Sequence, residues 1–352
     1  MYLNQIIAHP NYESKENEIP LITGTDEILV DRSSTGRIRP WGENKKMGMK
    51  LLDLYKLAKK SDSTLITDKR LEALSKCGDY LKFGQYADGS KKLAEAHFCQ
   101  LRLCPQCNWR RSLKLYAQVS NITDAILRDK PSVRFLFVTL TVKNVKGNEI
   151  KETLDRMNQG FKALVQAKKQ YKAAAGLQKS LLGYMKAVEI TYNSDTDTFH
   201  PHMHIIFEVE KEYFSSRSRY ISHKQWRDMW QSVMKLDYEP QVNVKAIKTD
   251  GKESKAKAKA IAEIAKYPVK STDIVKIADQ DKAVNALIDL HKGTFNRRFV
   301  TFGGDFKEYK RMLGLDDIEK GDLVHVETES QALNPVAYIL YRWRVEAGAY
   351  IC

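Results

Sequence analysis

The residues with the clearest chemical potential are three histidines that stand within five positions, His200, His202 and His204. On a strand, side chains alternate, so His202 and His204 share one face of the sheet. Glu189 lies on the preceding strand of a predicted hairpin, where its carboxylate can approach the two imidazoles. Two histidines and one carboxylate leave open coordination positions, which is typical of a catalytic metal site. The alternative is that His202 and His204 are buried histidines with ordinary hydrogen bonds. The direction of the His200 side chain stays open, because Pro201 and the turn lie beside it.

A second group of potential ligands is formed by four of the five cysteines, Cys77, Cys99, Cys104 and Cys107. A Cys-x-x-Cys pair brings two thiolates within reach of one tetrahedral zinc ion, and two further cysteines complete a closed structural site. We therefore predict structural zinc here. The alternatives are four unconnected buried thiols, or a site in which His97 replaces Cys77 or Cys99.

Basic and aromatic residues surround the cysteines, among them Arg102, Trp109, Arg110 and Arg111. Arginine binds phosphate oxygens and an indole can stack on a nucleobase, so this pattern favours contact with nucleic acid. The alternative is a solvated helix face. The whole chain has 58 Lys and Arg residues against 44 Asp and Glu residues, a formal net charge of +14. Such a surplus favours a polyanionic partner, nucleic acid first and an acidic membrane surface second.

A third chemical element is the segment that contains Glu263, Lys266, Tyr267 and Lys270. Glu263 and Tyr267 are four positions apart and are therefore neighbours on one face of a predicted helix. A phenol has an ordinary pKa of about 10 and is a poor nucleophile at neutral pH. Lys266 and Lys270 would favour its phenolate. Because the chain has 17 tyrosines, packing is the alternative role for any single one.

The elements that must position these residues follow from hydrophobic periodicity in a chain of 352 residues, enough for two or three domains. Strands are predicted at 135–142, 184–192, 202–207 and 241–247. Helices are predicted at 51–76, 108–129, 149–182, 223–235, 252–267 and 281–292. The order of strands and helices between 133 and 267 predicts an α+β domain, with helices packed on an antiparallel sheet. The segment 316–329 carries six acids against one lysine.

The chain shows no sign of membrane insertion or export in its sequence. No stretch approaches the ~18 apolar residues that a spanning helix needs. Residues 1–18 do not combine a basic start with an apolar run, so no secretory signal is visible. We expect a soluble cytoplasmic protein, whose reduced thiols favour metal binding over disulfides.

Taken together and in this order, the motifs resemble those of the replication initiator (Rep) proteins of small Gram-positive rolling-circle plasmids, members of the HUH endonuclease superfamily. Residues 137–144 resemble the first family motif, and residues 202–204 fit the histidine–apolar–histidine motif. Residues 263–270 fit the third motif, in the subgroup that has one tyrosine and a glutamate in place of a second. The cysteine-rich segment 99–111 also resembles this subgroup.

The resemblance implies an α+β fold. We expect an HUH endonuclease core with a central antiparallel sheet flanked by helices, a zinc-binding segment, and helical N- and C-terminal additions. The expected boundaries are 1–76 for a polar and then helical N-terminal region and 77–130 for the zinc-binding segment and basic helix. The catalytic domain would span 131–273, and the C-terminal region, helical with an acidic tract, 274–352.

The resemblance also implies that the protein nicks one DNA strand at the plasmid double-strand origin. Tyr267 would attack the scissile phosphate, keep a 5′-phosphotyrosyl link and release a 3′-OH primer. His202, His204 and Glu189 would hold Mg²⁺ or Mn²⁺. Glu263 would act at termination, where strands are rejoined or released.

The implied partners are origin DNA, single-stranded at the nick site, and the host helicase, single-strand-binding protein and DNA polymerase. Lys266 and Lys270 are expected to contact the DNA, and a homodimer is left open. One alternative is an HUH relaxase or transposase, which shares the histidine and tyrosine chemistry. The other is a non-catalytic zinc-containing DNA-binding regulator, which leaves the order of the motifs unexplained.

Overall fold

The computed structural model describes residues 19–33, 35–166, 174–247, 254–265, 271–326 and 334–352. The strands in these ranges are β1 Leu21–Ile22, β2 Tyr80–Gln85, β3 Lys91–Ala96, β4 Arg134–Thr141, β5 Leu181–Asn193, β6 Thr198–Val209, β7 Val242–Ile247, β8 Val300–Gly304, β9 Ala337–Arg344 and β10 Ala349–Ile351. The helices are α1 Trp41–Ser61, α2 Asp68–Ser75, α3 Pro105–Asp129, α4 Ile150–Val165, α5 Ala175–Ser180, α6 Glu212–Ser215, α7 His223–Met234, α8 Ser254–Ile264, α9 Ser271–Ile274, α10 Gln280–Thr294 and α11 Asp305–Met312. None of the described helices is both long and apolar enough to cross a membrane.

The main sheet has five antiparallel strands in the order β7-β4-β6-β5-β8. Its centre is the long β5–β6 hairpin, which confirms the antiparallel hairpin predicted from sequence. The turn is set by Asn193, whose Oδ1 accepts the main-chain N–H of Asp195 at 2.9 Å. Asp197 completes the turn at φ 50°. The left-handed region is tolerated by short polar side chains that bond locally, so this turn fixes the register of both strands.

The main sheet is buried on both faces, which explains its long apolar runs. One face carries Phe135, Met185 and Ile206 and packs against apolar side chains of α3, α8 and α11. The other carries Val138 and Ile205 and packs against α4, α7 and α10. His202 and His204 lie on the first face, because they share the parity of Ile206. We call this the histidine face.

A second sheet joins distant parts of the chain. Its strands run β1-β9-β2-β3, with β10 also paired to β9. The sheet buries Phe83, Leu93 and Tyr341 beneath Trp41 of α1. Trp109 of α3 meets Trp41 edge-on, with ring centroids 4.6 Å apart. The α3 helix therefore packs against both sheets and connects them.

The terminal regions contain the predicted helices, as α1, α2 and α10, but they also contribute strands that were not predicted from sequence. The predicted N-terminal region supplies β1 to the second sheet, and the predicted C-terminal region supplies β9 and β10 to the same sheet. The main sheet takes β8 from beyond position 273, so its edge strand lies outside the span predicted for the catalytic domain. The predicted helix 149–182 is also interrupted, since α4 ends at Val165 and β5 begins at Leu181. Non-local pairing overrides local composition at each of these places.

Candidate active site

The β5–β6 hairpin brings Glu189, His202 and His204 together on the histidine face. Glu189 pairs with His202 across the two strands, and Ala187 pairs with His204. Glu189 Oε2 lies 3.1 Å from Nε2 of each histidine. Glu189 is 3% exposed and His204 is 6% exposed, so the group sits in a recess rather than on an open surface. This is the juxtaposition that strand parity predicts.

Neighbouring groups orient the two imidazoles through their other nitrogens. Nδ1 of His202 lies 3.3 Å from the carbonyl oxygen of His200, which can only accept a hydrogen bond. Nδ1 of His204 lies 3.1 Å from the hydroxyl of Thr139. The ring of Phe137 stacks on His204 with centroids 5.6 Å apart. Such outer contacts are the usual means of holding a metal-binding histidine in one orientation.

The donor atoms fit a divalent cation. If Nδ1 of a neutral His202 donates to the carbonyl, Nε2 carries a lone pair and faces the carboxylate of Glu189. That contact is repulsive unless a cation or a proton lies between the two atoms. Ligands about 2.1 Å from one ion are separated by about 3.0–3.4 Å at right-angled or tetrahedral geometry, close to the observed 3.1 Å. All three donor atoms lie within 4.8 Å of one another.

His200 stands next to this group but is not one of the three donors. Its ring is 5.2 Å from that of His202, centroid to centroid, and it also interacts with the main chain of Val142. Burial, followed by the neighbouring His202, lowers the pKa of His200. The ring is therefore neutral at neutral pH and adds no positive charge beside a bound cation.

The α8 helix lies over the histidine face. Ile261 and Ile264 are buried there, and the helix contacts α3, β6 and β7. An ion pair between Lys257 and Asp124 also joins α8 to α3. Glu263 lies on this helix and is half-buried. The predicted residues Lys266, Tyr267 and Lys270 fall outside the described residues.

The four predicted cysteines meet around one point. Sγ of Cys77 lies 3.5 Å from that of Cys104 and 3.7 Å from that of Cys107, and Sγ of Cys99 lies 3.7 Å from Cys107. Four sulfurs bound tetrahedrally at about 2.3 Å are separated by about 3.8 Å, so the cluster fits a zinc ion. Hydrogen bonds from Cys107 and the other thiols hold the pKa of Cys104 well below its usual range, whereas burial raises the pKa of Cys99 and Cys107. A bound cation would therefore be needed to hold all four as thiolates.

A buried lysine stands beside the sulfur cluster. Lys45 is 5% exposed, and its Nζ donates to the carbonyl oxygen of Cys77 at 2.7 Å. Burial lowers the pKa of Lys45, while the thiolates of Cys77 and its neighbours raise it. The amine of Lys45 thus connects α1 to the cysteine segment, and with zinc bound its positive charge would offset part of the negative charge of four thiolates.

The arginines predicted to contact DNA have a different role in the fold. Arg110 and Arg111 are 3% and 1% exposed. Arg110 donates to the carbonyl oxygens of Leu323 and Val324, at 2.8 and 2.7 Å, and Arg111 donates to the carbonyl of Gln100 at 2.7 Å. Buried cations bound to main-chain oxygens cannot reach a phosphate in this conformation. This corrects the prediction for these two residues.

Trp109 and Arg102 are also engaged within the fold. The Trp109 indole packs against Trp41, as described above, and is half-buried. Arg102 pairs with Glu319 at 3.2 Å and lies over the ring of Phe299, 4.4 Å from its centroid. Part of the acidic segment noted in the sequence therefore neutralises the basic segment around the cysteines. Arg102, unlike the buried Arg110 and Arg111, remains partly exposed, and it lines a cavity of the structure.

Comparisons with known proteins agree on one family. A family model described as "Replication protein" matches residues 90–351. "Protein rep" of Streptococcus pneumoniae is 37% identical over 326 residues, covering 92% of this chain and 95% of that protein. "Protein rep" of Bacillus amyloliquefaciens is 36% identical over 340 residues, covering 92% and 97%. A "Replication protein" of Staphylococcus aureus is 38% identical over 234 residues, covering 66% and 96%. No solved structure matches the chain. The family model spans both candidate metal sites except Cys77, and the chain therefore belongs to the Rep family of replication proteins.

Proposed function

We propose that the protein initiates rolling-circle replication of a plasmid by nicking one strand of the double-strand origin. The observation that carries this proposal is the recessed group of Glu189, His202 and His204, whose donor atoms fit one cation. The α8 helix, which leads toward Tyr267 in the sequence, covers the same sheet face.

Glu189, His202 and His204 would hold Mg²⁺ or Mn²⁺, which when bound polarises the scissile phosphate and stabilises its developing charge. The residues of the chain supply the orientation. Thr139 and the carbonyl of His200 fix the imidazole rings, and the two strands fix the carboxylate. Because the recess is largely buried, a phosphate drawn into it would exchange water for fixed ligands.

Tyr267 would be the nucleophile. Its phenolic oxygen would attack phosphorus, forming a tyrosyl ester with the 5′-phosphate as the bond from phosphorus to the 3′-oxygen breaks. The phenol loses its proton, and the departing 3′-oxygen gains one to become the hydroxyl that primes leading-strand synthesis. The energy of the phosphodiester is retained in the tyrosyl ester, so the strand can later be rejoined.

Glu263 would act in the second cleavage, when the replication fork returns to the origin. A carboxylate on the helix that covers the histidine face can take a proton from water as a general base. That cleavage would be hydrolytic and would release the protein instead of renewing its covalent link. Such an ending would help to limit plasmid copy number.

The remaining assignments follow from composition and from the cysteine cluster. A formal charge of +14 suits a protein that binds origin DNA, with Lys266 and Lys270 among the residues expected to meet phosphate. Zinc at the four cysteines would be structural, because no open coordination position remains.

Host helicase, single-strand-binding protein and DNA polymerase would act on the nicked product in the cytoplasm. A homodimer is compatible with this scheme.

The test is cleavage of the supercoiled plasmid that encodes the chain, in Mg²⁺ or Mn²⁺, followed by mapping of the peptide that carries DNA. We expect a nicked circle with Tyr267 linked to the 5′-phosphate. Tyr267→Phe should bind the origin without forming an adduct, because only the hydroxyl is lost. Tyr220→Phe is a matched control, since that tyrosine is 50% exposed and far from α8 in the sequence. An adduct that persists in Tyr267→Phe would assign the nucleophile elsewhere. Binding without any nicking would favour the regulator, and cleavage only of single-stranded transfer or transposon ends would favour a relaxase or transposase.

A further inference from the structure

A cavity of about 570 Å³ lies beside the cysteine cluster, and the proposed chemistry does not use it. Its walls come from α1, α2, the cysteine segment with the start of α3, the end of α10, the segment that leads into β8 and the segment after α11. Six of its lining residues are cationic, namely Arg70, Arg102, Arg111, Arg297, Arg298 and Lys320. Glu319 is the one acid in the lining. Such a wall favours an anionic ligand.

Some of these cations have an ion pair within the protein and others do not. This difference shows which of them could bind a ligand. Arg297 makes a bidentate pair with Asp155 at 2.7 and 2.8 Å, and Arg298 pairs with the half-exposed Asp317 at 3.0 Å. Arg70 and Lys320 are exposed and have no ion pair within the part of the chain that the structure describes. A phosphate could therefore reach Arg70 and Lys320 directly, and Arg298 by displacing a surface carboxylate that is weakly bound.

The cavity also presents an aromatic surface to solvent. Phe295, directly after α10, is 53% exposed and stacks on His291 with ring centroids 6.0 Å apart. Tyr55 binds Nδ1 of His291 at 2.8 Å, which holds the ring in place. Burial lowers the pKa of His291 to about 4, so that it packs as a neutral ring. An exposed phenylalanine backed by a fixed ring, and set among cations, is suited to stacking a nucleobase.

The wall of this cavity is joined to the candidate metal centre through the main sheet. The carbonyl of Phe299 accepts the N–H of Val188 at 3.0 Å, and Val300 pairs with Ala187. Counting back along this register, Arg298 comes level with Glu189 on the adjacent strand. Neighbouring strands lie about 4.8 Å apart, so the main chain of Arg298, which lines the cavity, lies close to that of Glu189.

We propose that this cavity binds an unpaired nucleotide of the DNA strand that is cleaved, its base stacked on Phe295 and its phosphate bound by Arg70, Arg298 and Lys320. The inference rests on the proposed function, because it takes the metal centre as the place of the scissile phosphate. It adds a position for the flanking nucleotide and residues that hold it. Stacking and phosphate contacts of this kind tolerate any base, so the cavity would hold the strand rather than read its sequence.

The experiment measures the fluorescence anisotropy of labelled oligothymidylate with the full chain. Phe295→Ala should raise the Kd roughly five-fold to more than a hundred-fold, as expected for the loss of one stacked base. Phe214→Ala is the matched control, because Phe214 is a 41% exposed phenylalanine on α6. Arg70→Ala should reduce the slope of log affinity against log salt by about 0.7, while Lys69→Ala, next to it on α2 but outside the cavity, should change the slope less.

The outcomes separate this inference from the proposed function. The cavity inference would be contradicted if the wild type failed to bind oligothymidylate. It would also be contradicted by equal Kd values for wild type and Phe295→Ala, or by an equal loss of affinity in Phe214→Ala. Nicking of the supercoiled plasmid is measured on the same preparations. If binding depends on Phe295 but the wild type never nicks, the cavity stands as a single-strand site and the proposed function fails. If the wild type nicks and Phe295→Ala binds and nicks equally well, the function stands and the cavity inference fails.

Discussion

Replacing Glu208 by glutamine should change how the stability of the protein depends on pH. Glu208 lies on β6, on the histidine face, and is fully buried. Its carboxyl group lies beside that of Asp305, and neither of its oxygens has a hydrogen-bond donor among the described residues. Burial, followed by the nearby carboxylate of Asp305, raises the pKa of Glu208 to about 8, and Lys130 only partly opposes this. The folded protein thus keeps a protonated glutamate at neutral pH.

The size of the effect follows from the two pKa values. An unfolded glutamate has a pKa of 4.5, and the folded one has a pKa of about 8. Because the pKa of Glu208 is higher in the folded protein, its protonation stabilises the fold. This contribution to the free energy of unfolding is complete below about pH 4.5 and falls as the pH rises toward 8. The full difference corresponds to about 5 kcal/mol, most of it lost before neutral pH. Between about pH 5 and pH 7 the expected loss is about 2–3 kcal/mol, with about 1 kcal/mol more by pH 9.

The assay compares urea unfolding of wild type and Glu208→Gln from about pH 5 to about pH 9. The amide keeps the shape of the side chain but does not titrate. Its own buried polar atoms cost about 1–3 kcal/mol at every pH, so the informative quantity is the change in the difference between the two proteins. Glu212→Gln, an exposed position on α6, is the control and should run parallel to wild type. Parallel profiles for Glu208→Gln and wild type would refute the argument.

Three further predictions concern the two candidate metal sites and the α8 helix that covers one of them. Cys107→Ala should lose zinc in elemental analysis and melt at lower temperature, because zinc binding is coupled to folding, whereas Cys352→Ala should keep its zinc. Zinc-free wild-type protein with unchanged melting would contradict this. Thr139→Val removes the hydroxyl that meets Nδ1 of His204 and should lower nicking about 10- to 100-fold at limiting Mn²⁺, with partial recovery at high Mn²⁺. Unchanged dependence on Mn²⁺ would remove the orienting role. Glu263→Ala should still nick but fail to terminate on a plasmid with tandem origins, and normal termination would make Glu263 an ordinary helix residue.

The meeting of Glu189, His202 and His204 could be predicted from the sequence because its geometry is local. A polar turn of a few residues fixes the register of β5 and β6, and strand alternation then determines which side chains meet. Glu189, His202 and His204 follow from these two facts alone. The cysteine cluster was predictable for another reason, since the chemistry of zinc limits the choice of ligands even when Cys77 is distant in sequence.

The sequence could not reveal features that depend on distant partners. Arg110 is typical of a DNA-binding helix in charge and position, but the carbonyl groups that bind it belong to residues more than 200 positions later. Strand β9 was not predicted from the sequence, because nothing local identifies β2 as its partner. Phe295 gives no signal in the sequence. Its importance arises from exposure next to cations of other segments, such as Arg70 of α2 and Lys320 after α11.

The pairing of β9 with β2 has a consequence for synthesis of the protein on the ribosome. Arg342 pairs with Tyr80, so the two partners are separated by roughly 260 residues. At about 5–20 residues per second, the β2–β3 hairpin would wait about 13–50 s for its neighbour. During that time one edge of β2 exposes unpaired main-chain groups, which favour association with other chains. Slow or crowded translation should therefore yield insoluble protein, and lower expression temperatures or coexpressed chaperones should improve the yield of folded protein.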